Sequence, residues 1–140
     1  MEWHKAFLPS AVSAWQPDVV HLHWIHQYFD SSSKLKSVVR FIKFIVGLLI
    51  LKFYGKKIVW TAHNLKSHDS KHPALDSLST QLVVILADAV IAHSEAAKQE
   101  IVEKFRVKDS TKIFVIPHAN YISQYPNTLT QYQARQQLKI

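Results

Sequence analysis

Residues 58–72, IVWTAHNLKSHDSKH, pass from a run of strand formers into a histidine and then into a polar stretch. Ile58, Val59, Trp60 and Thr61 are β-branched or aromatic, the composition of a buried strand. The run stops at His63 and Asn64, and His68, Asp69 and His72 follow. A lone histidine at a strand end is ordinarily held by a hydrogen bond to a loop carbonyl. Whether this one does more depends on where the other histidines fall.

On either side of that stretch the same pattern repeats. Asp18–Trp24 (DVVHLHW) reads as a strand, Ser31–Phe53 as a helix, Lys57–Ala62 as a strand and Pro73–Ala87 as a helix. Asp88–His93 (DAVIAH) is a third strand. Ser94–Phe105 opens on a serine cap, carries acids in its first turn and ends near Lys104 and Arg106, which suits a helix dipole. Lys112–Ile116 is a fourth strand, stopped by Pro117, and Thr130–Leu138 begins another helix. Strand and helix in alternation predict βαβ units, hence an α/β fold: a Rossmann-like parallel sheet with flanking helices. The strands are apolar on both faces, the mark of a sheet covered on both sides. If they add in chain order, right-handed crossovers place every connecting helix on one side and leave the other face without helices.

In this arrangement His23, His63, His93 and His118 lie at or just past the carboxyl ends of all four predicted strands. Open α/β sheets bind ligands outside those ends, so the four imidazoles are expected to converge on a crevice. There they can donate to phosphate or sugar hydroxyls, orient a substrate or bind a metal. His21-Leu22-His23 is also an HxH on one strand face, the opening of the metal site in amidohydrolase-type barrels. Such a barrel needs eight strands and roughly 250 residues, and no carboxylate sits at a strand end here. The expectation is therefore no metal, with His21 a hydrogen-bonded core histidine.

At 140 residues the chain fits one domain. It has two glycines, five prolines and no cysteine, which excludes disulfides and thiolate metal sites. The start, MEWHKAFLPSAVSAW, contains an acid and lacks a long apolar core, so it does not read as a signal peptide. Net charge is +7, and its distribution is uneven. Between Ser31 and Lys57 stand seven bases and no acid, whereas the rest of the chain balances ten bases against ten acids. Lys36, Arg40 and Lys43 fall on one helical stripe, with Leu35, Val39, Ile42 and Ile45 turned away from it. The uncharged run Phe44–Leu51 is eight residues, far short of the roughly 20 that span a bilayer. The basic stripe is either simply solvated or lies against anionic lipid headgroups. Nucleic acid fits less well, because the bases interleave with aliphatic residues rather than with aromatics that stack on nucleobases.

Taken together, PDVVHLHW, VWTAHN with a following His-Asp, DAVIAHS before an amphipathic helix, and VIPHANY resemble the amino-terminal domain of GT-B-fold retaining glycosyltransferases of the bacterial polysaccharide and glycolipid type. The resemblance covers roughly residues 17–138, and WTAHN and IPHANY are its most specific pieces. It implies transfer of a sugar from a nucleotide-sugar donor to a carbohydrate or lipid-linked acceptor, with the donor as co-substrate and no cofactor. His63 is implied beside the reacting sugar as the catalytic residue, and His23, Asn64, His68, Asp69, His93, Ser94, His118 and Asn120 along the substrate crevice. A cytoplasmic protein, peripheral at the inner face of the membrane through Lys36, Arg40 and Lys43, fits the same likeness.

The sequence also departs from the family pattern. It lacks the opening glycine-rich loop, stops at Ile140 where a second, donor-binding domain is expected, and has Ser67 and Ala119 where a proline and a glycine are common. The expectation is a partial acceptor-side domain over 1–140, inactive alone, which pairs with a donor domain or self-associates. A non-catalytic flavodoxin-like ligand-binding or interaction domain is the alternative, and a metal-dependent hydrolase a third.

Overall fold

The structure, a computed structural model, describes residues 16–64, 71–119 and 128–140. Its elements follow the predicted alternation. In chain order they are β1 (Val19–Leu22), a 3-10 turn (Ile25–Tyr28), α1 (Lys34–Phe53), β2 (Lys57–Thr61), α2 (Pro73–Leu86), β3 (Ala89–Ala92), α3 (Glu95–Phe105), a second 3-10 turn (Ser110–Lys112), β4 (Ile113–Val115) and α4 (Gln131–Leu138). The four strands form one parallel sheet in the order β1-β2-β3-β4. Its register aligns Leu22 with Trp60, Trp60 with Val90, and Val90 with Ile113.

Those aligned residues share one face, and burial shows which. Leu22, Ile58, Trp60, Val90, Ala92 and Ile113 are all buried, packed with Phe44, Leu48 and Leu51 of α1, Val83 and Val84 of α2, and Ile101 and Phe105 of α3. In-order parallel strands with right-handed crossovers put all three helices on this side. On the other face Val19, Phe114 and Ile116 are exposed, while Val59, Ala89 and Ile91 are partly covered. This α/β, Rossmann-like architecture is the predicted one, including the face without helices among the described residues.

Local chemistry sets the element ends. α1 stops in a Schellman motif: the Gly55 N–H donates to the Lys52 carbonyl (2.9 Å) and the Lys56 N–H to the Leu51 carbonyl (2.9 Å). Gly55 holds φ +71°, a left-handed conformation that disfavours other residues. Pro73 begins α2, where its missing N–H loses no bond. Ser94 caps α3, its Oγ accepting from the Ala97 N–H at 3.1 Å. Thr130 and Gln133 form a capping box on α4. Lys112 ties β4 to the end of α2, donating from Nζ to the carbonyls of Val84 (2.6 Å) and Ala87 (3.1 Å), a cation where the helix dipole is negative.

At the amino edge of the sheet Asp88 joins three elements. Its carboxylate accepts from Lys52 Nζ of α1 (2.9 Å), from Lys57 Nζ (3.4 Å) and from the Ile58 N–H of β2 (2.9 Å). Burial pushes its carboxyl upward, but the Ile58 N–H and the Lys52 ammonium outweigh this and hold it at about 2.

α1 differs from the sequence expectation in how its apolar residues divide. The core takes Phe41, Phe44, Leu48 and Leu51. Of Leu35, Val39, Ile42 and Ile45, expected to turn away from the basic stripe, Ile45 packs partly buried against the core, while Leu35, Val39 and Ile42 are exposed, and Val46, Leu49 and Phe53 continue their line. The reason is positional: one face of a helix can meet the sheet and α2, and a helix this apolar has a second hydrophobic line opposite its core. No described helix is long and apolar enough to cross a membrane.

Candidate functional site

Each βα unit delivers a histidine to the same edge. β1 ends at Leu22 and places His23 and Trp24 just beyond; β2 leads to His63; β3 leads to His93; β4 leads past Pro117 to His118. Because the strands are parallel and in register, these side chains arrive side by side. Ring centroids are separated by 5.3 Å from His23 to His63, 5.2 Å from His63 to His93 and 5.1 Å from His93 to His118. His21 adds a fifth ring, 4.3 Å from His23.

Hydrogen bonds order this row. His23 Nδ1 and His63 Nε2 are 3.0 Å apart, and His63 Nδ1 and His93 Nε2 are 3.4 Å apart. His93 Nδ1 lies 2.9 Å from the Ile116 carbonyl. A carbonyl only accepts, so His93 carries its proton on Nδ1 and, when neutral, offers a lone pair at Nε2. His63 Nδ1–H then donates to His93, and His63 Nε2 accepts from His23 Nδ1–H. One backbone oxygen thus sets the polarity of three imidazoles. Trp60 fixes the start of the row, its indole Nε1 donating to the His23 carbonyl at 3.1 Å.

Burial, followed by the imidazoles of His23, His93, His118 and His21, holds His63 below the ordinary histidine value. His21 is lowered by burial and then by His23. At neutral pH His63 is therefore an uncharged ring that both donates and accepts. Imidazoles of this kind can offer directed hydrogen bonds to hydroxyls or phosphate oxygens.

The structure brings together His23, His63, His93 and His118 as expected at the strand ends. Asn64 is exposed immediately after His63, and Ser94 is exposed after His93 with its hydroxyl engaged as the α3 cap. His68, Asp69 and Asn120 lie outside the described residues. Lys36, Arg40 and Lys43 are exposed on α1, remote in sequence from the row, and Arg40 Nη1 donates to the Asp30 carbonyl at 3.1 Å. His21 is hydrogen-bonded as expected, its Nε2 2.8 Å from Thr61 Oγ1, but it is exposed rather than in the core, because it lies on the sheet face opposite the packed helices.

Sequence reasoning missed Trp24. Its indole lies flat on His63, centroids 4.4 Å apart and planes 14° from parallel, yet it remains 42% exposed. The available signal was position: an aromatic directly after a strand-end histidine, beyond the last core-facing residue. An exposed aromatic face beside hydrogen-bonding rings is an amphipathic platform.

The family model described as Glycosyltransferase Family 4 matches residues 2–119 of the chain. No curated protein matches it significantly.

Proposed function

The chain belongs to glycosyltransferase family 4, and from that premise we propose that the histidine row is the acceptor side of a retaining transferase of the bacterial polysaccharide and glycolipid type. That enzyme moves a sugar from a nucleotide-sugar donor to a carbohydrate or lipid-linked acceptor. The observation that carries the proposal is the continuous His23–His63–His93 row, with Trp24 stacked on its central ring. A sugar needs both kinds of contact: hydrogen-bonding groups for its hydroxyls and an aromatic surface for its C–H face.

In this proposal His63 is the catalytic residue and meets the reacting sugar. His23, Asn64, His93, Ser94 and His118 border the acceptor, together with His68, Asp69 and Asn120. Departure of the nucleoside diphosphate leaves an oxocarbenium-like centre. A neutral imidazole, held in place by its hydrogen bonds to His23 and His93, stands beside that centre without a charge that would repel it. In this proposal donor recognition falls to a second, donor-binding domain. No cofactor is required beyond the donor co-substrate.

The acceptor's chemistry connects with α1. Leu35, Val39, Ile42, Val46, Leu49 and Phe53 form an exposed line in steps of four and three along the helix, opposite its buried face, and Lys36, Arg40 and Lys43 flank it. The helix has no acid. An apolar line bordered only by cations complements an anionic lipid surface, with each cation contributing about 1 kcal/mol near the headgroups. The proposed location is the inner, cytoplasmic face of the membrane, with a lipid-linked acceptor presented at that surface.

The test of the site is NMR titration of the histidine ring resonances with acceptor oligosaccharides and glycolipid headgroups. Resonances of His23, His63 and His93 should shift together while His72 stays fixed. Shifts confined to other histidines would contradict the assignment.

A further inference from the structure

Three histidines in the row have a property that sugar binding does not require. The ligating nitrogens of His63, His93 and His118 all lie within 4.8 Å of one another. His63 Nδ1 and His93 Nε2 are 3.4 Å apart. Two imidazole nitrogens held about 2.05 Å from one tetrahedral ion stand about 3.3–3.4 Å apart, so this pair already has the bite of a zinc chelate.

The nitrogen remote from the shared point is tied down in each ring. His93 Nδ1 donates to the Ile116 carbonyl at 2.9 Å and His118 Nδ1 to the Ala119 carbonyl at 3.0 Å. Both Nε2 atoms are therefore left as lone-pair donors. His63 has Nε2 at 3.0 Å from His23 Nδ1. With a cation on His63 Nδ1, the His63 proton resides on Nε2 and donates to His23, whose own proton moves to its far nitrogen. No proton is gained or lost by the row. A metal-bound histidine almost always has such a partner on its other nitrogen, which fixes the tautomer and raises ligand basicity.

From this geometry we propose that His63, His93 and His118 form a three-histidine site for a borderline divalent cation of the zinc class, with a fourth position open to solvent. An all-imidazole set selects such ions over magnesium or calcium, which favour oxygen ligands. The HxH pair singled out in the sequence is not the chelate, because His21 is engaged with Thr61. The exposed His118 closes the site by a small side-chain rotation. The inference rests on ring geometry and not on the glycosyl-transfer reading. Zinc binding and sugar binding are read separately, and either can fail without the other.

The experiment is a zinc titration of the 140-residue chain, purified without a histidine tag, against a chromophoric chelator. Cobalt substitution in parallel reads coordination number from the intensity of its visible bands. The expected result is one zinc per chain and an intense, four-coordinate cobalt spectrum. His93→Ala and His118→Ala should each weaken zinc binding by about tenfold or more, and His26→Ala should leave it within about twofold. His118 is exposed, so its replacement keeps the fold, and circular dichroism checks both variants. Undiminished binding in either His93→Ala or His118→Ala overturns the site, as does a weak octahedral cobalt spectrum.

Discussion

Trp24 lies flat against His63, its indole 14° from the plane of the imidazole at a centroid distance of 4.4 Å. The contact joins the end of β1 to the end of β2 and gives the histidine row an aromatic wall. Stacked aromatic pairs contribute about 0.5–1.5 kcal/mol beyond their buried area. Trp24→Ala should therefore raise the KM for acceptor by about three- to tenfold with a smaller change in kcat, while the fold, which does not depend on this exposed ring, is kept. Steady-state kinetics with thermal unfolding checks this. A lost fold or an unchanged KM would remove Trp24 from the acceptor platform.

Asp88 supplies a stability prediction with a definite sign. Its carboxyl is held at about 2 against an ordinary 3.8, so the folded state binds the proton less readily than the unfolded chain. Its contribution is complete above the ordinary value and fades as pH falls through about 2. Asp88→Ala should lower stability by about 1–3 kcal/mol at neutral pH, the range for losing charge-assisted hydrogen bonds. The gap from wild type should stay constant down to about pH 4 and shrink below it. Urea unfolding across pH reads the gap, and one that closes on the alkaline side would contradict the assignment.

The exposed line on α1 makes two separable claims. Lys36→Gln/Arg40→Gln/Lys43→Gln should weaken binding to vesicles containing anionic lipid and remove its salt sensitivity, since that attraction is screened over roughly 8–10 Å at ordinary ionic strength. Ile42→Ser/Val46→Ser/Leu49→Ser should weaken binding at every salt concentration. Vesicle flotation measures both. Equal binding by wild type and the charge variant would show a merely solvated stripe. A wild-type dimer that the serine variant abolishes, with no vesicle binding, would assign the line to a second copy of the chain.

Much of this was legible in the sequence because parallel βα units are written in simple periods. The run IVWT, the break at His63 and the same break after Asp88–Ala92 and Ile113–Ile116 were enough to place strands and sheet edge, while the strand order entered only as a condition that the structure meets. A strand fixes which face a side chain takes, and parallel register fixes what lies beside it, so four strand-end histidines become one row. What stayed hidden depended on helix rotation and on side-chain rotamers. The pattern Leu35, Val39, Ile42 reads only as turned away from the basic stripe; which line meets the core is set when α1 lies on the sheet, and Phe41, Phe44 and Leu48 take that place. Trp24 stacking on His63, and the Ile116 carbonyl that orients His93, join residues on different strands through contacts that no local period records.

The sheet face without helices among the described residues gives a further expectation. Val19, Phe114 and Ile116 are exposed there, beside the partly covered Val59 and Ile91. An apolar patch of this kind on an isolated chain favours self-association or binding of a hydrophobic dye. Phe114→Ser/Ile116→Ser should reduce both, as sedimentation and dye fluorescence would show. A wild-type chain that sediments as a compact monomer and binds no dye would indicate a free-standing module with its sheet already covered.

The central claim is that the histidine row performs sugar transfer, and His63 is its centre. The most direct measurement is transfer of labelled sugar from a nucleotide-sugar donor to a lipid-linked or oligosaccharide acceptor by the protein joined to its donor-binding domain, comparing wild type with His63→Ala. A folded variant that loses at least about 100-fold in turnover, the scale of removing one positioned catalytic group, is the predicted result. A folded variant with unchanged turnover would contradict the account.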